Sequence, residues 1–196
     1  MGVMASPGTE LPMVECADQA AWRDWLEVNH GDAQGVWLRF AKKGSPTPSV
    51  TYAQALEEAL SYGWIDGQVR GLDEHFYLQR FTPRRARSKW SQINRDKATR
   101  LIEEGRMHPA GLAQVEDAKA DGRWDDAYEP QSKATVPDDF QAALDANARA
   151  KEFFATLTGS ARYAFLYRLH HTAAAKRAER IKRYIELLAD EKTLQD

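Results

Sequence analysis

An α+β fold is expected for this chain: a small N-terminal mixed α/β module with an antiparallel hairpin, followed by an all-helical C-terminal module. Three observations predict it. Strand-type alternation is confined to residues 36–40, 64–70 and 74–81, helical periodicity flanks and then replaces it, and "EPQSKATVPDD" (129–139) separates the two regimes. The expected boundaries are a disordered or extended start over 1–16, an α+β module with two following helices over 17–128, a linker over 129–139, and a helical hairpin or three-helix module over 140–196.

The elements follow in order. Asp18 is a natural N-cap for a helix that places Trp22, Trp25 and Leu26 on one face and stops at Gly31. Val36, Leu38 and Phe40 alternate with Trp37 and Arg39, which predicts a strand ending before Pro46 and Pro48. Thr51 and Gln54 form a capping box for a helix with Ala55, Leu56, Ala59 and Leu60 inward and Gly63 at its end. A tight loop at "RGLD" predicts a hairpin with Ile65, Phe76 and Leu78 facing the core. Trp64, Asp66, Gln68, His75, Tyr77 and Gln79 then face away from it. Ser88 or Ser91 caps the next helix, Pro109 starts another, and the remaining apolar positions read as three helical segments. These contain Phe140 to Leu157, Tyr163 to His170, and Ala174 to Leu188.

The 196 residues are 43% hydrophobic and 29% charged with a net charge of −2, which argues against a chain that coats nucleic acid through its overall charge. No apolar run is long enough to insert in a membrane, and one cysteine, Cys16, gives neither a disulfide nor a paired-cysteine metal framework. A cytoplasmic protein is expected. The five histidines lack metal-ligand spacing, and no phosphate-binding loop, dinucleotide fingerprint or nucleophile elbow occurs, so neither metal nor cofactor is expected.

Charge is concentrated in one place. Between residues 80 and 106 nine Lys/Arg face three acids, a local charge of +6. Arginines ahead of a serine-capped helix start suit a phosphate or carboxylate. The expected pocket is walled by Trp64, Asp66, Tyr77 and Gln79, rimmed by Arg84, Arg85 and Ser88, and takes a small anionic ligand. An enzyme at the same place would use Asp66 or His75 as general base, with Tyr77 completing a carboxylate–imidazole–phenol group. A protein-interaction module docking an acidic partner through the basic segment is the third reading, and nucleic acid is disfavoured because no base-stacking motif accompanies the charge.

At "ALSYGWIDGQ", "FTPRRARSKWSQIN", "EEGRMHPAGL" and "DGRW" the sequence resembles the YdeI/OmpD-associated, or bacteriocin-protection, family from about residue 20 to 190. The resemblance implies a front half distantly similar to frataxin-like and YjbR-like proteins, a helical module behind it, and a role in stress or antimicrobial-peptide resistance without an assigned reaction. Ser61 stands where the family usually has cysteine, which excludes an essential thiol there. Ile181 and Tyr184 replace usual arginines, which weighs against an anion role for the helical module.

Overall fold

The computed structural model describes residues 11–194 and divides them into two units. The front unit runs to Trp90 and resumes over Asn94–Ala127; the helical unit takes Ser91–Ile93 and everything from Tyr128. The expectation for residues 1–10 lies outside the described residues.

The front unit contains β1 (Met13–Glu15), α1 (Gln19–Asn29), β2 (Val36–Ala41), α2 (Tyr52–Ser61), β3 (Trp64–Gly71) and β4 (Phe76–Pro83). Most of α3 (Gln92–Glu103) and all of α4 (Pro109–Ala120) complete it. The sheet order is β1-β2-β4-β3, with β1 parallel to β2 and the other pairs antiparallel. Local chemistry sets the helix starts: Asp18 accepts from Ala21 N–H, and Thr51 and Gln54 form the reciprocal capping box. Replacing Thr51 with alanine is expected to cost about 1 kcal/mol, read as a lowered urea midpoint.

Two corrections concern the hairpin. Its loop is not "RGLD" but residues 72–75, because the Asp73 carboxylate accepts from the backbone N–H groups of His75 (2.7 Å) and Phe76 (2.8 Å) and so closes the turn later. Trp64 therefore pairs with Pro83 and Asp66 with Phe81, four residues beyond the expected partners, and a bulge between Asp66 and Val69 absorbs a further shift. The second correction is which face is core. Alternation groups Trp64 and Asp66 with Tyr77, Gln79 and Phe81, but α1 and α2 pack on this face. Trp22, Leu26, Ala55 and Ala59 meet Val36, Leu38, Phe40, Trp64 and Phe81 there. On the opposite face Phe76 and Leu78 are buried as expected, but guanidinium groups rather than helices cover the rings, Arg39 lying 4.1 Å over Phe76 and Arg70 4.2 Å over Trp37.

The other side of α2 packs Leu56 and Leu60 against Trp90, Ala98, Leu101, Val115 and Ala118. This two-sided burial of α2 brings its C-terminal end against the start of α4.

In the helical unit, α5 (Asp138–Asp145), α6 (Ala148–Thr156), α7 (Gly159–His170) and α8 (Ala174–Ala189) enclose Phe140, Leu144, Phe154, Phe165, Leu169, Tyr184 and Leu188. The segment expected as one helix from Phe140 to Leu157 is two, because Asn147 leaves helical geometry and accepts from Ala150 N–H as a new cap. Among the described residues no helix is long and apolar enough to cross a membrane.

Candidate functional site

The structure gives each expected pocket residue a definite place. Trp64 is 1% exposed, with its ring edge-on to Trp22 and Trp25 and its Nε1 donating to His30 O (3.2 Å). Gln79 is buried and donates through Nε2 to Gly67 O (2.7 Å), which satisfies a carbonyl of the bulged stretch. Tyr77 stacks on Phe40 at 5.3 Å, and Asp66 accepts from the Tyr52 hydroxyl at 2.9 Å. These four share the sheet face that α1 and α2 cover, so they build core and its margin. His75 sits exposed in the 72–75 turn, 3.2 Å from Glu74, and the length of β3 separates its turn from Asp66. Arg84 is buried with its guanidinium 3.5 Å over the Trp90 ring and donates to Lys89 O (3.2 Å). The exposed Arg85 donates its backbone N–H to Ser88 Oγ (2.9 Å), which fixes a turn ahead of α3.

Polar side chains converge elsewhere in the front unit. Three short stretches meet: the last two turns of α1, the end of α2, and the α3–α4 connection. On α1, Arg23, Glu27 and His30 follow helical spacing along one face. At the end of α2, Glu58 and Tyr62 lie one turn apart. The connection begins at Gly105, whose φ of 67° is the left-handed conformation that closes α3, with Arg106 N–H bonded back to Leu101 O (2.9 Å).

Glycine lets the last two stretches touch. His108 N–H donates to Ser61 O (3.1 Å), and a Cβ on Gly111 would lie 2.1 Å from that same Ser61 oxygen. Only a residue without a side chain permits so close a crossing of α4 over α2.

The resulting cleft, about 390 Å³, is lined by Arg23, Glu58, Tyr62 and the Gly105–Pro109 segment. Glu58 is only 3% exposed. It accepts from Gln19 Nε2 (2.5 Å) and from Arg23 Nε (2.9 Å) and NH2 (2.8 Å), and Arg106 NH2 stands 3.5 Å away. Burial pushes the Glu58 carboxyl up, but the donors from Arg23 and Gln19 and the charges of Arg23 and Arg106 outweigh it and hold it below the usual carboxylate range. The hydrogen bond to Glu58 in turn raises Arg23.

Arg106 binds Glu104 closely at 2.9 Å, but it reaches Glu57 and Glu58 only at 3.7 and 3.5 Å. One edge of its guanidinium is thus loosely held. Beside it the rings of Tyr62 and His108 stack at 4.8 Å, and His30 meets them at 5.2 and 4.6 Å. Tyr62 donates to Glu27 Oε2 (2.7 Å); burial first, and then this bond, raise the phenol above its ordinary value. The two imidazoles are held in different tautomers. His108 Nδ1 accepts from Ala110 N–H (3.2 Å) and caps α4, so its neutral form carries the proton on Nε2. His30 Nδ1 lies 2.8 Å from Leu26 O, a pure acceptor, so its neutral form carries the proton on Nδ1. The cleft therefore combines planar cations, an imidazole N–H donor, a phenol ring and the positive end of α4, with the His30 ring packed behind Tyr62 and His108.

Sequence reasoning missed Arg23, Glu58, Tyr62, Arg106 and His108 as a site. The available signal was the pair of stretches "SYGWIDG" and "GRMHPAGL", each bearing glycines beside its polar residues.

Comparison with known families divides the chain. A family model described as Domain of unknown function (DUF8412) matches residues 14–114, and one described as Bacteriocin-protection, YdeI or OmpD-Associated matches residues 133–191. No curated protein and no solved structure matches. The resemblance read from the motifs thus holds over the helical portion, while the segment that contains every cleft residue falls to the other family.

Proposed function

The chain belongs to the family described as Domain of unknown function (DUF8412) through residues 14–114, and from the cleft inside that segment we propose that the front unit binds a small ligand carrying one carboxylate or phosphate on a flat or apolar body. One observation carries this reading. Residues far apart in the chain are brought, through a glycine contact that tolerates no side chain, around a buried ionised carboxylate that orients two arginines. A carboxylate so buried is an expensive way to gain stability alone, and clustered perturbed groups in a cleft are characteristic of working sites.

The chemistry of each wall supports the ligand class. Arg106, with one loosely held edge, offers a planar fork to an oxyanion, and His108 Nε2–H and the start of α4 add donors and positive potential. The stacked Tyr62 and His108 rings, with Met107 and Pro109, supply an apolar wall, and the volume suits a small molecule. This is the anionic ligand expected from the sequence, moved from the hairpin to the α2–α4 crossing. The description over residues 133–191 names bacteriocin protection, so stress or antimicrobial-peptide resistance is the cellular setting we propose for the binding.

Benzoate and phenyl phosphate share a body and differ in the anionic head, and they are suitable calorimetric probes. Saturable binding of either is expected in the wild type, weakened about tenfold or more in Arg106→Leu through loss of charge-assisted bonds. Equal affinity in the variant, or no binding of either probe, would contradict the assignment. The tyrosine–glutamate bond and the paired imidazoles favour one second reading, a proton-transfer enzyme at the same cleft. His108→Asn keeps a capping side chain; turnover lost in that variant while benzoate binding persists would select the enzyme.

A further inference from the structure

We propose that the helical unit carries a separate site for a small molecule bearing two or more phosphate groups. A cavity of about 660 Å³ there is walled by Arg168 from the last turn of α7 and by Lys176, Arg180, Arg183 and Tyr184 of α8, with Glu179 among them. Four cations thus face one acid. Among the described residues none of these four side chains forms an ion pair, whereas Arg177, on the same helix, is bound twice to Asp139 and donates to Leu169 O (2.7 Å). The difference lies between two sides of one helix: the side at Arg177 is neutralised within the fold, and the side at the cavity is not.

Helical spacing makes this arrangement unfavourable for the protein alone. Lys176, Arg180 and Arg183 are separated by four and three residues, so their charges sit one turn apart on one stripe and repel, and the single acid among them, Glu179, offsets only part of that repulsion. Their stems also converge on a concave wall, which focuses the positive potential. A bound polyanion relieves that repulsion. The seven steps from Lys176 to Arg183 rise about 10 Å along the axis, a length over which a short chain of phosphates can meet all three cations at once. Glu179 interrupts the stripe. It disfavours a continuous nucleic-acid backbone and offers an acceptor to a hydroxyl or amino group of a compact ligand. Ile181, Tyr184 and Leu188 of α8 are buried in the core of the unit, so the residues that line the cavity are mainly its charged ones.

Inorganic tripolyphosphate, titrated calorimetrically into the full chain at low and at physiological salt, tests the site against orthophosphate. One-site binding of tripolyphosphate, clearly tighter than orthophosphate, is expected. Arg183→Gln, at an exposed position, should weaken it about tenfold with an unchanged circular dichroism spectrum. Lys182→Gln, on the other side of α8, and Arg106→Leu, in the front-unit cleft, should leave it within about twofold. The proposal is overturned by an absence of binding at low salt. It is equally overturned if Lys182→Gln weakens binding as much as Arg183→Gln, or if a single-stranded oligonucleotide displaces tripolyphosphate and binds more tightly.

Discussion

Replacing Gly111 with alanine is expected to destabilise the front unit by about 3 kcal/mol or more, the upper range for overpacking. The added Cβ would meet Ser61 O at 2.1 Å, Ser61 C at 2.8 Å and Met107 Cε at 2.9 Å. The methionine can move aside, but the Ser61 carbonyl cannot, because it belongs to the last turn of α2 and already accepts from His108 N–H. Alanine's better helix propensity returns only about 1 kcal/mol. The same displacement would carry Arg106 and His108 away from Glu58 and Tyr62, so stability and cleft binding should fall together. Gly31→Ala is the matched control: a Cβ there meets nothing within 4 Å, and a change below about 0.5 kcal/mol is expected. Urea denaturation of the two variants measures both outcomes.

Glu58→Gln is expected to cost about 1.5–3 kcal/mol near neutral pH, the range for hydrogen bonds to a charged group. The side-chain shape is kept, but the carboxylate that holds Arg23 at two points and Arg106 at longer range is lost. The pH dependence gives the sign. The folded carboxyl is held below the usual carboxylate range, so its stabilisation is fully present above that range and is lost as pH falls through the lower folded value. Wild type and variant should therefore differ most near neutral pH and converge in acid. A gap that widens on acidification would mean that Glu58 is stabilised in its protonated form, contrary to its surroundings of donors.

What was legible in the sequence was local. Asp18, Thr51 with Gln54, and Pro109 act within a few residues of themselves, and each starts a helix where its chemistry indicates. The alternation of Val36, Leu38 and Phe40 likewise appears as buried positions of β2. The hairpin shows where locality ends. Alternation grouped Trp64 and Asp66 with Tyr77 and Gln79, but it cannot say on which face two helices will pack, and α1 and α2 pack on the face that carries Trp64 and Phe81. Gln79 looked like a ligand-binding group because nothing local reveals that Gly67 would present a bulged carbonyl needing a donor. Arg84 belonged to an evident basic run, yet tertiary packing laid it over Trp90. The cleft is the extreme case. Arg23, Glu58 and Arg106 come from three stretches, joined by the packing of α1 on α2 and by the α2–α4 crossing, and glycines such as those at 105 and 111 were the main sequence trace of the latter.

The most direct test of the cleft as a ligand site follows the imidazole signals of His30 and His108 by NMR during titration with benzoate at constant ionic strength and pH. Both rings lie beside Tyr62 and within the same cluster, whereas the other histidines lie elsewhere, His75 in the hairpin turn and His170 and His171 at the end of α7. Saturable shifts confined to His30 and His108, abolished in Arg106→Leu, are the expected result. Shifts that leave these two rings untouched, or that persist unchanged in Arg106→Leu, would contradict it.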